Sequence, residues 1–317
     1  MNKLTPNDFS VTNPVKWCPG CGDFAILTSV KKAMAEINIE HEKYVVISGI
    51  GCSSRFPYYV NTYGYHTIHG RAIPIATGVK LSNPDLMVFV VTGDGDAMSI
   101  GGNHLIHGIR RNIGIKVLMF NNRIYALTKG QASPTTQKGS KTKTTPKGNN
   151  DYSFNPVSLA VGIGAPFVAR SIDSDLNSTS SIILEASKNE GFSFVEIIQK
   201  CVVFTDKEFD AFKNPETKDD SVLKIENGKP MIFGRNRNKA VVIEKKGPRV
   251  IEFDPSNPPS DLTVYDNSDI NMARIVSSLI PPAFPLPFGI FLKTERKSFE
   301  SMYYEEGYKD VDNIDVL

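Results

Sequence analysis

The chain has 317 residues, of which 40% are hydrophobic and 22% charged, and its formal net charge is +2. This length allows one large domain, alone or with an appendage, and the composition is that of an ordinary globular protein. So small a net charge, without a basic stripe, argues against a nucleic-acid partner.

The sequence also argues against export and membrane insertion. The first residues, MNKLTPNDFS, contain no apolar run behind a basic head, as a signal peptide would. A membrane-spanning helix needs roughly 20 apolar residues. The closest stretch, residues 279–292, contains four prolines, which such a helix would not tolerate. We therefore expect a cytoplasmic protein without membrane contact.

Helical and β-branched segments alternate along the first two thirds of the chain. In chain order they are a helix at 24–37, a strand at 44–51, a helix at 72–82, a strand at 87–95, a helix at 99–113, a strand at 115–122, a helix at 157–164, a strand at 166–172, a helix near 175–189 and a strand at 192–199. Continuous apolar strands between helices predict a doubly wound, mostly parallel α/β sheet.

Two segments do not follow this alternation. Residues 133–151 are rich in Thr, Lys and Gly without a hydrophobic period, which predicts a long loop that is either functional or mobile. Residues 205–317 are richer in charge and proline and show one hairpin, between 230–236 and 239–246. We therefore divide the chain into a catalytic domain, 1–204, and a C-terminal extension, 205–317, expected to contact a partner.

The four cysteines pose the first chemical question. Cys18 and Cys21 form a CxxC pair on a Gly/Pro turn, which could be a redox pair, half of a zinc site or half of an iron–sulfur site. Cytosolic disulfides would be reduced, so ligands of a metal or cluster are favoured over a disulfide. Cys52 and Cys201 could complete the set, or could equally be unrelated small core residues.

Polar and thiol side chains follow four of the predicted strands. Cys52, Asp94, Asn121–Asn122 and Cys201 each come at or just after a strand end. Ligands of open α/β sheets bind outside the carboxyl ends of the strands. The sequence therefore predicts one site at this edge.

A second constellation is the run GDGD, residues 93–96, followed after 24 residues by Asn121–Asn122. A carboxylate on a tight glycine turn can ligate Mg²⁺, and the backbone N–H groups beside glycine can approach a diphosphate. The two motifs could be unrelated turns, but their spacing and common edge favour a Mg²⁺–diphosphate site.

Six stretches occur in the order found in one known family. They are WCPGCGD, SGIGCSSR, HTIHGRA, GVKLSNPDL, GDGDAMSIGGNH and NNRIYALTKGQASPT. Across about residues 17–201 they resemble the β subunits of 2-oxoacid:ferredoxin oxidoreductases, especially the 2-oxoglutarate type, and the later PLPFGIFL is similar to longer members. The resemblance implies the thiamine-diphosphate-binding type of sheet. Where the family usually has YGLTKGQ this chain has YALTKGQ, so Ala126 is expected to tighten the loop beside the cofactor.

The resemblance implies that one [4Fe–4S] cluster is held by Cys18, Cys21, Cys52 and Cys201. A set of four cysteines also suits zinc, so the residues alone leave the metal open. The redox chemistry of a 2-oxoacid decarboxylated on thiamine favours iron, because a cluster can take the electrons singly.

The resemblance also assigns the cofactor site. It implies Mg²⁺ ligation by Asp94, Asn122 and the Ile124 carbonyl, and diphosphate binding by backbone N–H groups of Gly95 and Asp96. The other cofactor-binding residues that it implies are Gly51, Ser53, His69, Gly93 and Leu127. Leu127 would keep thiamine folded, although without the family it is an ordinary core residue, and His69 could equally be a loop cap.

Three residues are assigned to catalysis: Leu127, Arg55 and Lys129. Arg55, three residues after Cys52, suits the distal carboxylate of 2-oxoglutarate, whereas a surface arginine paired with an acid is the alternative.

The resemblance implies several partners. An α subunit would supply the glutamate that activates the cofactor, and ferredoxin would receive the electrons. Coenzyme A would be the acyl acceptor, and its phosphates could meet the loop lysines, although a solvated basic loop is slightly favoured. These lysines are Lys138, Lys141, Lys143 and Lys147. The alternatives to this function are a non-oxidative thiamine-dependent decarboxylase or synthase, and a zinc-stapled, catalytically silent scaffold.

Overall fold

The computed structural model describes residues 3–306. The α-helices are α1 (Asp23–Ile37), α2 (Ala72–Ser82), α3 (Asp94–Met98), α4 (Gly102–Arg111), α5 (Pro156–Ile163), α6 (Leu176–Lys188), α7 (Asp210–Lys213), α8 (Lys218–Ser221), α9 (Ile270–Ser277) and α10 (Phe299–Glu305). The strands are β1 (Tyr44–Ser48), β2 (Tyr63–His66), β3 (Met87–Gly93), β4 (Ile115–Asn121), β5 (Phe167–Ile172), β6 (Ser193–Ile198), β7 (Val222–Ile225), β8 (Ile232–Phe233), β9 (Lys239–Glu244), β10 (Gly247–Glu252) and β11 (Leu286–Lys293).

An eight-stranded sheet has the order β2-β1-β3-β4-β6-β5-β11-β7. All neighbours pair in parallel except β11 and β5, which are antiparallel. The predicted doubly wound, mostly parallel α/β fold is therefore confirmed.

Helices cover both faces of this sheet because its central strands are apolar on both sides. In β3, Val88 and Val90 belong to the core cluster that includes residues of α2, α4, α5 and α9. Phe89 and Val91 point the other way, into the cluster with residues of α1 and α6. Among residues 3–306, no helix is both long and apolar enough to cross a bilayer.

All ten predicted elements of the first two thirds occur; α2 has the predicted ends, and the others are shifted at one end or both. The strand predicted to reach 95 ends at Gly93, because Asp94 begins α3. The strand predicted to reach 51 ends at Ser48, and Gly51 has a φ of 135°, outside the extended region. The edge strand β2 was missed because it is short and mostly exposed.

The structure corrects the description of residues 205–306. The sequence shows no clear sheet pattern there beyond one hairpin, and we predicted no fold for it, yet β7 and β11 are strands of the main sheet. The prolines of the β11 region, among them Pro287, made it look unlike a strand. The predicted hairpin is present as β8 and β9, and β10 extends it to three strands.

The boundary at residue 204 therefore does not separate two sheets. The partner contact expected of residues 205–317 stays a prediction, and residues 307–317 lie outside the described part of the chain.

Candidate functional site

The four strands that precede the predicted site residues lie side by side. β1 pairs with β3, β3 with β4 and β4 with β6, all in parallel. Their carboxyl ends therefore lie at one edge of the sheet, which places Cys52, Asp94, Asn122 and Cys201 there as predicted.

A cavity of about 250 Å³ opens at this edge, and we call it the Asp94 cavity. All ten residues predicted to bind the cofactor line it. They are Gly51, Ser53, His69, Gly93, Asp94, Gly95, Asp96, Asn122, Ile124 and Leu127. Sequence positions from 51 to 127 thus converge on one enclosed space.

The Asp94 carboxylate is buried and held by hydroxyl groups. Its Oδ2 accepts hydrogen bonds from Ser133 Oγ at 2.5 Å and Thr135 Oγ1 at 2.6 Å. Burial raises the pKa of Asp94, because the charged form is separated from water. A bound cation would compensate that charge. Both hydroxyls come from the predicted long loop, and the sequence analysis missed them because nothing in their spacing relates them to Asp94.

The turn after β4 orients Asn122. Its Oδ1 accepts the backbone N–H of Ile124 at 3.1 Å, while Arg123 between them adopts a φ of 59°. Left-handed backbone is uncommon outside glycine, so this turn is a specific conformation. It places the side-chain amide of Asn122 on the cavity wall.

Asp96 has a structural role that the sequence did not reveal. Its side chain accepts hydrogen bonds from His69 Nδ1 at 2.6 Å, from the N–H groups of Gly70 and Ile50, and from the hydroxyl of Thr92. The carboxylate thus joins three segments around the cavity. The bond to His69 leaves that ring's Nε2 for other partners.

Gly95 is in close contact with an aromatic ring. A Cβ there would lie 2.2 Å from a ring carbon of Tyr125, whose hydroxyl donates to the Gly95 carbonyl at 2.9 Å. Any larger residue at position 95 would displace Tyr125, so the first turn of α3 must contain glycine here.

The four cysteines meet in a second space of about 350 Å³, which we call the thiol cavity. All four side chains are free thiols, and Cys18 is the exposed one. Trp17 Nε1 donates to the Cys52 carbonyl at 2.7 Å, and Gln199 Nε2 to Cys21 Sγ at 3.2 Å. Cys52 and Cys201 are therefore not unrelated core residues.

Two of the thiols, Cys21 and Cys52, have raised pKa values. Burial raises the pKa of the Cys52 thiol to about 12, with nearby Asp23 adding to the effect, and burial also raises the pKa of Cys21. A bound metal would deprotonate them. No three His, Cys, Asp or Glu side chains of residues 3–306 are grouped around a point where one metal ion would fit.

A third space, of about 390 Å³, is the Arg55 cavity, lined by Ile50, Gly51, Arg55, Tyr58, His66 and Leu127. Arg55 Nε donates to Tyr59 Oη at 3.0 Å, and within residues 3–306 its guanidinium forms no ion pair with a carboxylate. His66 Nδ1 contacts Tyr58 Oη at 3.0 Å, and its buried Nε2 has no partner in the described residues. The sequence analysis missed His66 because it stands in the unrecognised strand β2.

Leu127 lines all three cavities and is 46% exposed, so it is not an ordinary core residue. Lys129 lines the thiol cavity but not the Asp94 cavity. Of the loop lysines, Lys138 stacks on Tyr152 at 4.1 Å, and Lys141 lines a neighbouring space of about 470 Å³ with Arg123. Lys143 and Lys147 are exposed.

Comparison with known proteins gives matches in sequence and in structure. Residues 49–197 match the family model described as "Thiamine pyrophosphate enzyme, C-terminal TPP binding domain". The 2-oxoglutarate oxidoreductase subunit KorB of Mycobacterium tuberculosis is 54% identical over 235 residues, 74% of this chain and 63% of that protein. The 2-oxoglutarate synthase subunit KorB of Archaeoglobus fulgidus is 45% identical over 188 residues, which are 59% of this chain and 70% of that protein.

One solved structure is similar over nearly the whole chain. It is a 2-oxoglutarate:ferredoxin oxidoreductase from Magnetococcus marinus with 2-oxoglutarate, coenzyme A and succinyl-CoA bound. The TM-score is 0.80 at 33% identity, covering 99% of this chain and 94% of that one. The matched part is 60 to 63% of the length of the first curated relatives, so the chain spans less than two thirds of them.

Proposed function

The chain belongs to the family of 2-oxoacid:ferredoxin oxidoreductase β subunits, and on this premise we propose that it is the β subunit of a 2-oxoglutarate:ferredoxin oxidoreductase. The family model also confirms the thiamine-diphosphate-binding type of fold. The proposed reaction converts 2-oxoglutarate, coenzyme A and two oxidised ferredoxins to succinyl-CoA, CO₂, two reduced ferredoxins and one proton.

One observation carries the proposal: the Asp94 cavity and the thiol cavity share a wall. Cys52, Asn122, Ala126, Leu127 and Gln199 line both. A non-oxidative thiamine enzyme has no use for four thiols beside its cofactor. Decarboxylation with electron transfer needs both sites in contact.

The Asp94 cavity fits Mg²⁺ and thiamine diphosphate. Asp94, Asn122 and the Ile124 carbonyl would supply oxygen ligands, which Mg²⁺ prefers. Gly95 and Asp96 would offer backbone N–H groups to the diphosphate. Gly51, Ser53, His69 and Gly93 would form the walls, and Leu127 would support the folded thiamine.

The thiol cavity fits a [4Fe–4S] cluster. Four thiolates around zinc would all lie about 2.3 Å from one point. Within residues 3–306, no three of the cysteine side chains are grouped around one such point. This supports a cluster, in which each iron takes a different thiolate. When bound, thiamine diphosphate supplies the electron sink for decarboxylation and the cluster accepts electrons singly.

The Arg55 cavity fits the distal carboxylate of the substrate. Arg55 can present its terminal nitrogens as a planar fork, which suits a carboxylate. His66 lines the same space, and its Nδ1 contacts Tyr58 Oη there. Ile50, Gly51 and Leu127 line both this space and the Asp94 cavity, so a dicarboxylate could extend from one to the other.

The site requires partners. We propose that an α subunit completes it and supplies the activating glutamate, and that residues 205–317 contribute to that contact. Ferredoxin would receive electrons from the cluster. Lys141 and Lys129, each exposed beside a cavity, are candidate cations for coenzyme A or the substrate.

The test is a pair of variants in the complex co-expressed with its α subunit and purified anaerobically. Cys201→Ala should lower bound iron and abolish 2-oxoglutarate-dependent viologen reduction while leaving thiamine diphosphate binding intact. Asp94→Ala should abolish thiamine diphosphate binding by calorimetry while leaving the brown visible absorption unchanged.

Several results would contradict the proposal. A colourless wild-type complex that contains zinc would favour the scaffold alternative, and an iron-free complex that decarboxylates 2-oxoacids would favour the non-oxidative enzyme. Full iron content with normal turnover in Cys201→Ala would remove the four-cysteine assignment. Unchanged thiamine affinity in Asp94→Ala would remove the Mg²⁺ assignment.

A further inference from the structure

A buried ion pair lies beside two of the cysteine-bearing segments. Asp173, just after β5, is 4% exposed, and its Oδ1 lies 2.5 Å from Nζ of Lys213 in α7. Its Oδ2 accepts the backbone N–H of Lys200 at 2.7 Å. Lys200 immediately precedes Cys201, so this carboxylate is fixed one residue away from a proposed cluster ligand.

The Asp173 carboxylate also lies against the backbone of Gly22, in the segment that contains Cys21. A Cβ added to Gly22 would lie 1.9 Å from Asp173 Oδ2 and 3.0 Å from the Lys200 nitrogen. Gly22 immediately follows Cys21, and its N–H donates to the Lys200 carbonyl at 3.1 Å. Asp173 therefore lies where the chain after Cys21 meets the chain before Cys201.

The positive charge of Lys213 compensates the negative charge of Asp173. Its side chain is only 17% exposed, so both members of the pair are largely out of water. Removing one partner of a buried pair leaves an uncompensated charge in a poorly screened place. Other charged groups near the junction include Asp23, fully buried two residues after Cys21, Asp210 in α7, and the surface pair of Lys200 Nζ with Asp206 at 2.7 Å.

We propose that Asp173 and Lys213 are positioning residues of the thiol cavity. Asp173 fixes the segments that carry Cys21 and Cys201, and the negative charge of Asp173 and the positive charge of Lys213 act in opposite directions on the reduction potential of the group held there. The inference rests on the proposed [4Fe–4S] cluster. It gives the C-terminal extension a role at the site, because Lys213 belongs to residues 205–317.

The charge argument predicts opposite effects for the two partners. Reduction adds one electron, supplied by the titrant, to the cluster, so a nearby negative charge opposes reduction and a positive charge favours it. Asp173→Asn keeps an oxygen for the Lys200 N–H but leaves the lysine unbalanced. Lys213→Met keeps the apolar stem of the lysine but leaves the carboxylate unbalanced.

The experiment uses the complex with its α subunit and measures iron and sulfide content and then the cluster potential by an EPR-monitored redox titration. We expect full iron in both variants, a more positive potential in Asp173→Asn and a more negative one in Lys213→Met. The double variant should return close to the wild-type potential, because the net charge is restored. Lys224→Met is the matched control: Lys224 faces Asp175 at 3.7 Å with 72% of its side chain exposed, so the potential should not move.

Potentials that shift in the same direction, or not at all, at full iron content would overturn the inference. So would loss of iron from Asp173→Asn, which keeps the acceptor oxygen, because the role would then be one of general stability. A wild-type complex without iron would contradict the proposed function itself, before any variant is compared.

Discussion

Asp96 offers the sharpest test of how the site is built. Its Oδ1 accepts hydrogen bonds from His69 Nδ1 at 2.6 Å, Gly70 N at 2.7 Å and Ile50 N at 3.1 Å, and its Oδ2 accepts one from Thr92 Oγ1 at 2.7 Å. The residue is 3% exposed. Asp96→Ala would remove the acceptor for all four donors and leave two backbone N–H groups unpaired.

The size of the effect follows from these contacts. A hydrogen bond to a charged group is worth about 1.5–3 kcal/mol, and an unpaired buried donor costs about 1–3 kcal/mol. Contributions within one network do not add fully, so we expect Asp96→Ala to lower the free energy of unfolding by about 3–5 kcal/mol.

Asp96→Asn separates the contacts from the charge. Its carbonyl can occupy the position of Oδ1 and keep three donors, and its amide can donate to Thr92, whose hydroxyl also lies 3.3 Å from the Gly93 carbonyl. The four contacts persist without the charge, so we expect a loss of only about 1–2 kcal/mol.

Urea denaturation followed by far-UV circular dichroism measures these differences, provided that the slope against urea is unchanged. The exposed Asp85→Ala is the control and should stay within about 0.5 kcal/mol of wild type. If Asp96→Ala stays within about 1 kcal/mol of wild type, or Asp96→Asn is as destabilising as Asp96→Ala, the reasoning from hydrogen bonds is refuted.

Three further predictions concern single residues. Arg55→Ala should cost about 2–4 kcal/mol in kcat/KM for 2-oxoglutarate and much less for pyruvate or 2-oxobutyrate, and an equal fall for all three would withdraw the selectivity role. Thr135→Val removes one donor to Asp94, so calorimetry should show thiamine diphosphate binding weakened by about 1 kcal/mol, whereas Thr135→Ser should bind normally. Burial lowers the pKa of Lys116 in the folded protein to about 7, from 10.5. Between these two pH values the unfolded chain keeps a proton on this lysine that the folded protein has lost. The free energy of unfolding should therefore rise with pH there, by at most about 1.4 kcal/mol per pH unit. Urea titrations between pH 7 and 9 should show this rise in wild type and a flatter profile in Lys116→Gln; equal slopes would contradict it.

The central sheet and its functional edge were predictable because each depends on local pattern. Each strand from β3 to β6 is mostly apolar and almost entirely buried, so its pattern is visible without tertiary information. Once the strands are parallel, their carboxyl ends must share an edge. Cys52 and Cys201 could therefore be placed together although about 150 residues separate them.

The missed features depend on contacts that no local pattern marks. Asp94 is bound by Ser133 and Thr135, 39 and 41 residues later, and a Thr-rich loop does not indicate which hydroxyl faces which carboxylate. Strand β11 contains Pro287, and proline is a poor strand former except near edges. Its place between β5 and β7 is set by tertiary pairing, not by propensity.

The lining of the three cavities also determines which single variants can test the function of one cavity alone. Leu127 lines all three, so a loss of activity in a Leu127 variant would not distinguish cofactor binding, electron transfer and substrate selection. Among the three cavities, Asp94 lines only its own, Cys201 only the thiol cavity and His66 only the Arg55 cavity. Variants at these three positions therefore separate the three proposed functions. Thiamine diphosphate affinity should change only in an Asp94 variant, iron content only in a Cys201 variant, and preference for a dicarboxylate only in a His66 variant.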